Sequence, residues 1–129
     1  MQSIYKARKT YYDDTSCWWS VKPKEYSFLK DMDLFHQIAG QVYFTNKSIE
    51  NELEKLSSSK YLVVDYEQFC KNPAKYYQQL CNLYSDQKYQ IDSKYKGSES
   101  FVNSNKYQIE KELIAHLESA YDYFLNSSN

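Results

Sequence analysis

Glycine and proline are scarce, with two of each in 129 residues. Backbone that cradles a phosphate needs glycines for close approach and left-handed turns, so a glycine-rich phosphate loop is excluded. Excess charge of either sign is also missing: 16 basic residues face 17 acidic ones, for a net charge of −1. A bulk nucleic-acid binder carries a basic excess or stripe, which this chain lacks, although a local phosphate pocket stays compatible. The three cysteines, Cys17, Cys70 and Cys81, form no CxxC pair and no zinc spacing. That pattern reads as scattered reduced thiols in a cytosolic protein, without a metal site. No apolar run approaches the ~18 residues of a membrane span. The opening stretch MQSIYKARKTYYDD is polar and lacks the apolar core of a signal peptide. The expected compartment is therefore the cytoplasm, with no membrane partner.

What the chain has instead is tyrosine, 15 of them. Tyrosine suits half-wet surfaces, so this abundance fits carbohydrate or protein recognition as well as plain compositional bias. The length fits one domain over residues 1–129. Residues 3–12 read as a short basic helix, and 13–28 as a loop holding the adjacent Trp18 and Trp19. From Asp31 to Leu56 the apolar residues Leu34, Phe35, Ile38, Ala39, Val42, Ile49, Leu53 and Leu56 recur at helical steps. Asp31 or Asp33 suits the cap, and Gly40 is a place for a bend or break. YLVVDY, residues 61–66, is short, apolar and β-branched, and reads as a buried strand of a parallel sheet. Asn72-Pro73 opens a helix whose apolar face is Tyr76, Tyr77, Leu80, Cys81 and Tyr84. A last helix runs from about Lys106 to Leu125, capped by Asn105 with Gln108 in a capping box. Its buried stripe is Ile109, Leu113, Leu117, Ala120, Tyr121 and Phe124.

These elements define an α/β class in which helices dominate: one clear strand and three to four helices. A lone buried strand has no partner in this chain for its backbone groups, and unpaired buried backbone is costly. The expectation is a partial sheet whose other strands lie in a longer form or in a partner chain.

The segment YLVVDYEQFCKNPAKYYQQLCNLYS, residues 61–85, resembles a PAPS-dependent sulfotransferase, in which a strand ends in V-x-Y-E-[DQ]-[LF] and an N-P opens the next helix. Val64, Tyr66, Glu67, Phe69, Asn72 and Pro73 match as they stand. Ser3-Ile4-Tyr5 is similar to the S-x-Y end of the family's 3′-phosphate-binding stretch, whose Arg would fall before Met1. Lys96-Gly97 is similar to a basic K-G that touches the donor phosphates, without the full R-K-G-x-x-G. The resemblance implies a partial P-loop-like fold, truncated before the 5′-phosphosulfate loop. It implies sulfuryl transfer from 3′-phosphoadenosine 5′-phosphosulfate (PAPS) to a hydroxyl acceptor such as a carbohydrate in a full-length form. Ser3, Tyr66, Lys96 and Gly97 would contact the nucleotide, and the catalytic residue is unassigned. Loss of one oxyanion-type donor typically lowers rate by ~10²–10³, and several are absent, so this chain alone is expected to be inactive.

Each candidate has a plainer reading. Ser3 is otherwise a terminal residue without a role, Tyr66 a packing aromatic, and Glu67 a brace for local backbone. Arg8 and Lys9 suit a phosphate but more commonly form a solvated basic face. His36 and His116 have no acid or nucleophile at triad or metal spacing. One of Trp18 and Trp19 belongs in a core, while the pair also suits an acceptor pocket. The alternative function is a non-enzymatic helical interaction module, docking or self-associating through the edge of residues 61–66. A third reading is a small regulatory or toxin-like protein without any link to PAPS.

Overall fold

A computed structural model of the chain describes residues 1–86, 91–103 and 109–127. Among the described residues six helices follow in order: α1 Gln2–Tyr12, α2 Tyr26–Leu29, α3 Leu34–Leu53, α4 Tyr66–Lys71, α5 Pro73–Asp86 and α6 Lys111–Asn126. A short 3₁₀ turn, Ser58–Lys60, lies between α3 and α4. Among the described residues there is no strand, which corrects the α/β class: this part of the chain is all-helical. The chain divides into two compact units, Met1–Asn51 with Tyr107–Asn129, and Glu52–Lys106.

The core of the first unit is where α3 and α6 turn their apolar stripes inward. Leu29, Ala39, Tyr43, Ala120 and Phe124 form one buried cluster, with Trp18, Phe35 and Tyr121 packed against it. The α6 stripe read from the sequence is met by Leu117, Ala120 and Phe124, all buried. Its expected start is not: α6 begins at Lys111 behind Glu110, whose side chain makes no capping bond. Asn105, Lys106 and Gln108 lie outside the described residues.

Helix α3 runs unbroken for 20 residues through Gly40. No bend is needed there, because the missing side chain makes room for packing. A Cβ on Gly40 would run into the Leu29 side chain and lie 3.0 Å from Phe124 Cζ. Of the two capping candidates, Asp33 does the work. Its Oδ1 accepts from the N–H groups of Phe35 at 2.9 Å and His36 at 3.1 Å. Buried Gln41 ties the loop between α1 and α2 to α3 by donating to the carbonyls of Trp19 and Val21, each at 2.8 Å.

In the second unit two short caps set the chain direction. Asp65 Oδ1 accepts from Gln68 N at 2.8 Å and starts α4. Asn72 Oδ1 accepts from Lys75 N at 3.1 Å and starts α5, with Pro73 buried as its first residue. Cys70 and Cys81 are buried, and all three cysteines are free thiols. Among the described residues, no helix is long and apolar enough to cross a membrane.

Candidate functional site

The segment expected to be a buried strand belongs to no strand, though residues at both of its ends are extended. Tyr61 has φ −146° and ψ 159°, and Asp65 has φ −75° and ψ 119°. Leu62, Val63 and Val64 make no backbone hydrogen bond to another described residue. Val63 is 68% exposed and Val64 47%, so this stretch is not the interior of a sheet. The β-branched run gives an extended chain, but pairing needs a neighbour that the local sequence cannot supply. Tyr66, expected at the end of the strand, is instead the first residue of α4.

Beside this segment lies an open groove of about 580 Å³. Tyr61, Leu62 and Val64 form one wall, and Tyr76, Leu80 and Tyr84 of α5 another. Of the apolar α5 face read from the sequence, Tyr76, Tyr77, Leu80 and Tyr84 therefore line a groove, while Cys81 is buried. Residues 91–103 close the third side through Tyr95 and Phe101. Phe101 N donates to the carbonyl of Cys70 at 2.7 Å, and its ring stacks on Phe69 at 5.6 Å. The Tyr77 hydroxyl donates to the carbonyl of Asp92. Loss of hydration, then the neighbouring Cys81 and Asp92, push its phenol above its ordinary range. The groove presents aromatic and aliphatic surface with one cationic side chain, Lys60, at its rim. It is chemically suited to an apolar polypeptide or ligand and offers no constellation of acid, base and nucleophile.

The four residues proposed for nucleotide contact fall on both units. Ser3 is exposed on α1 in the first unit, whereas Tyr66, Lys96 and Gly97 belong to the second. Tyr66 is 44% exposed. Lys96 is engaged by Asp92, with Nζ 2.7 Å from Oδ2, in a solvent-exposed pair. Together with the backbone hydrogen bond from Lys94, that pair holds the Asp92 carboxyl below its usual range. Gly97 serves packing: Tyr95 curls over it, its hydroxyl donating to the Ser98 carbonyl at 2.8 Å.

The other candidates are also accounted for. His36 Nδ1 lies 2.6 Å from Asp33 Oδ2, and its ring packs edge-on against Tyr123. His116 is exposed and stacks on Phe35. Trp18 packs edge-on against Tyr26, and its Nε1 donates to the Val21 carbonyl at 3.0 Å. Trp19 stacks on Tyr11 at 4.9 Å. Arg8, read as part of a solvated face, is instead fully buried. Nothing in its local pattern signals this, because the cover comes from a loop, residues 13–20, whose path the helix periodicity does not encode. Among the described residues no three of His, Cys, Asp or Glu gather as metal ligands. No protein family, no curated protein and no solved structure matches this chain.

Proposed function

We propose that the chain is a non-enzymatic interaction module that engages an extended apolar segment of another polypeptide along Tyr61–Asp65. The observation that carries this reading is the Leu62-Val63-Val64 stretch, which makes no backbone hydrogen bond to another described residue, lies between the extended Tyr61 and Asp65, exposes both valines and runs beside an apolar groove. An extended backbone with open donors and acceptors is a template for a further strand, and pockets beside it select side chains. A second copy of the same segment is a fitting occupant. Antiparallel pairing centred on Val63 sets Val63 against its twin and Leu62 against Val64, giving apolar cross-strand pairs on both faces.

The experiment is self-association of the full chain by sedimentation, together with binding of a peptide carrying KYLVVDY. The expected result is concentration-dependent dimerisation or peptide binding, lost in Val63→Asp and when the peptide is N-methylated at its central valine. A chain that stays monomeric and ignores the peptide would overturn the reading.

A second reading is sulfuryl transfer from PAPS to a carbohydrate hydroxyl in a longer form. What supports it is the order of residues 61–86: an extended run, a helix opening at Tyr66-Glu67, then Asn72-Pro73 opening α5. Its test is thermal stabilisation by adenosine 3′,5′-bisphosphate, since a ligand at 100 times its Kd stabilises the folded state by about 2.7 kcal/mol. An unchanged melting temperature counts against a surviving nucleotide pocket.

A further inference from the structure

Arg8 is the only arginine among the 16 basic residues of the chain, and it has no exposed surface. A buried cation without a counter-charge is costly, so such groups are normally paired with an acid. Arg8 is not. Its Nη1 donates to Gln37 Oε1 at 2.8 Å and to the Thr15 carbonyl at 3.2 Å, both neutral acceptors. The indole of Trp18 lies over the guanidinium, 5.0 Å from its carbon to the ring centroid. Nε and Nη2 are buried and have no hydrogen-bond partner. Asp14, the acid on the adjoining loop, turns elsewhere: it accepts from Ser16 N and Ser16 Oγ, each at 2.8 Å, and from Cys17 Sγ at 3.8 Å. The other titratable groups that act on Arg8 are Cys17 and Tyr26.

The two orphaned donors are not a random pair. Nε and Nη2 form the side edge of the guanidinium, two parallel N–H groups that match the two oxygens of a carboxylate. The opposite corner, Nη1, is the one tied to Thr15 and Gln37, so the plane is held and the edge is left buried without a partner. We propose that Arg8 is the recognition group of a buried site for a small monocarboxylate, bound side-on through Nε and Nη2. One buried positive charge is balanced by one negative charge, which favours a carboxylate over a phosphate, whose second charge would stay uncompensated. Burial pushes the guanidinium below its usual range, and a bound anion reverses that trend. The loop of residues 13–20 supplies both Thr15 and Trp18, and it is bounded by two left-handed residues, Asp13 at φ 49° and Ser20 at φ 72°. Entry of the anion requires this loop to part from α1.

The test uses the whole chain labelled with ¹⁵N, in which a single arginine gives a single Nε–Hε resonance. Sodium formate, acetate and inorganic phosphate are titrated against sodium chloride at constant ionic strength. The expected result is a saturable displacement of that resonance by formate and acetate, with at least a tenfold weaker response to phosphate. Formate should also raise the melting temperature of the native chain and not that of Arg8→Lys, which keeps the charge but loses the planar edge. If Arg8→Lys does not fold, the resonance of the native chain decides alone. A resonance unmoved by formate and acetate overturns the proposal and leaves a water as the partner of the edge. A stronger response to phosphate than to formate overturns the carboxylate assignment.

Discussion

Phe124 of α6 packs directly on Gly40 of α3, with its Cζ only 3.0 Å from where a Cβ on residue 40 would stand. Glycine inside a helix normally destabilises by about 1 kcal/mol relative to alanine. Here the balance tips the other way. The added methyl would also strike the Leu29 side chain, which is fully buried and has little room to turn. Overpacking a core costs about 1–3 kcal/mol, more than the helical gain. Gly40→Ala should therefore lower the urea midpoint, with a net loss of up to about 2 kcal/mol. A raised midpoint would show that the α3–α6 packing is looser than described.

Asp33 holds the start of α3 by two devices, a cap to backbone N–H groups and a pair with His36. Partial burial opposes its ionisation, but the hydrogen bonds from His36 and Phe35 outweigh this and hold the carboxyl below its usual value. The sign follows from that lowering. Stability from Asp33 is fully present above the unfolded value of about 3.9 and is lost as pH falls through the lower folded value. Asp33→Ala should cost about 1 kcal/mol near neutral pH, the usual worth of such a cap. Asp33→Asn should cost less, since asparagine also caps, and should flatten the acid limb of the stability curve. Urea titrations at pH steps between neutrality and the acid transition decide this; equal acid limbs in native chain and Asp33→Asn would refute it.

The helices were legible because their signals are local. The apolar steps of Ile38, Ala39 and Val42, the caps at Asp33 and Asn72, and the stripe of Leu117, Ala120 and Phe124 each depend on residues within one or two turns. The fate of Leu62-Val63-Val64 was not local. Its composition signals an extended chain, as its flanking residues Tyr61 and Asp65 are, but burial and pairing depend on a neighbour that no described part of the chain provides. Arg8 is the reverse case: it sits on a helix face that reads as solvated, and the 13–20 loop together with Gln37 of α3 covers it. The groove lies between these cases, since the α5 stripe was readable and its exposure was not.

That distinction gives a direct stability measurement. A valine in the interior of a sheet would not tolerate a carboxylate, because an unpaired buried charge costs several kcal/mol. Val63 is 68% exposed, so Val63→Asp should change stability by no more than about 0.5 kcal/mol, as surface substitutions do. Differential scanning calorimetry at a concentration below any self-association checks this. A drop of several degrees would return Val63 to a buried setting.

Phe101 is the point at which residues 91–103 are fastened to α4. Its N–H reaches the Cys70 carbonyl, and its ring stacks on Phe69 with an interplanar angle of 15°. Phe101→Ala keeps the backbone bond and removes the stack, together with part of the groove wall. The ring is 46% exposed, so the loss should sit near the 0.5–1.5 kcal/mol typical of an aromatic pair and well below that of a core phenylalanine. The larger effect should be local, because Phe101 makes the contacts that tie this segment to α4. Limited proteolysis should cut within residues 91–103 faster in Phe101→Ala, while α6 and the first unit keep their protection against hydrogen exchange. Uniform acceleration of exchange across both units would mean that Phe101 supports the whole chain, and unchanged cleavage would mean that the backbone bond to Cys70 is sufficient by itself.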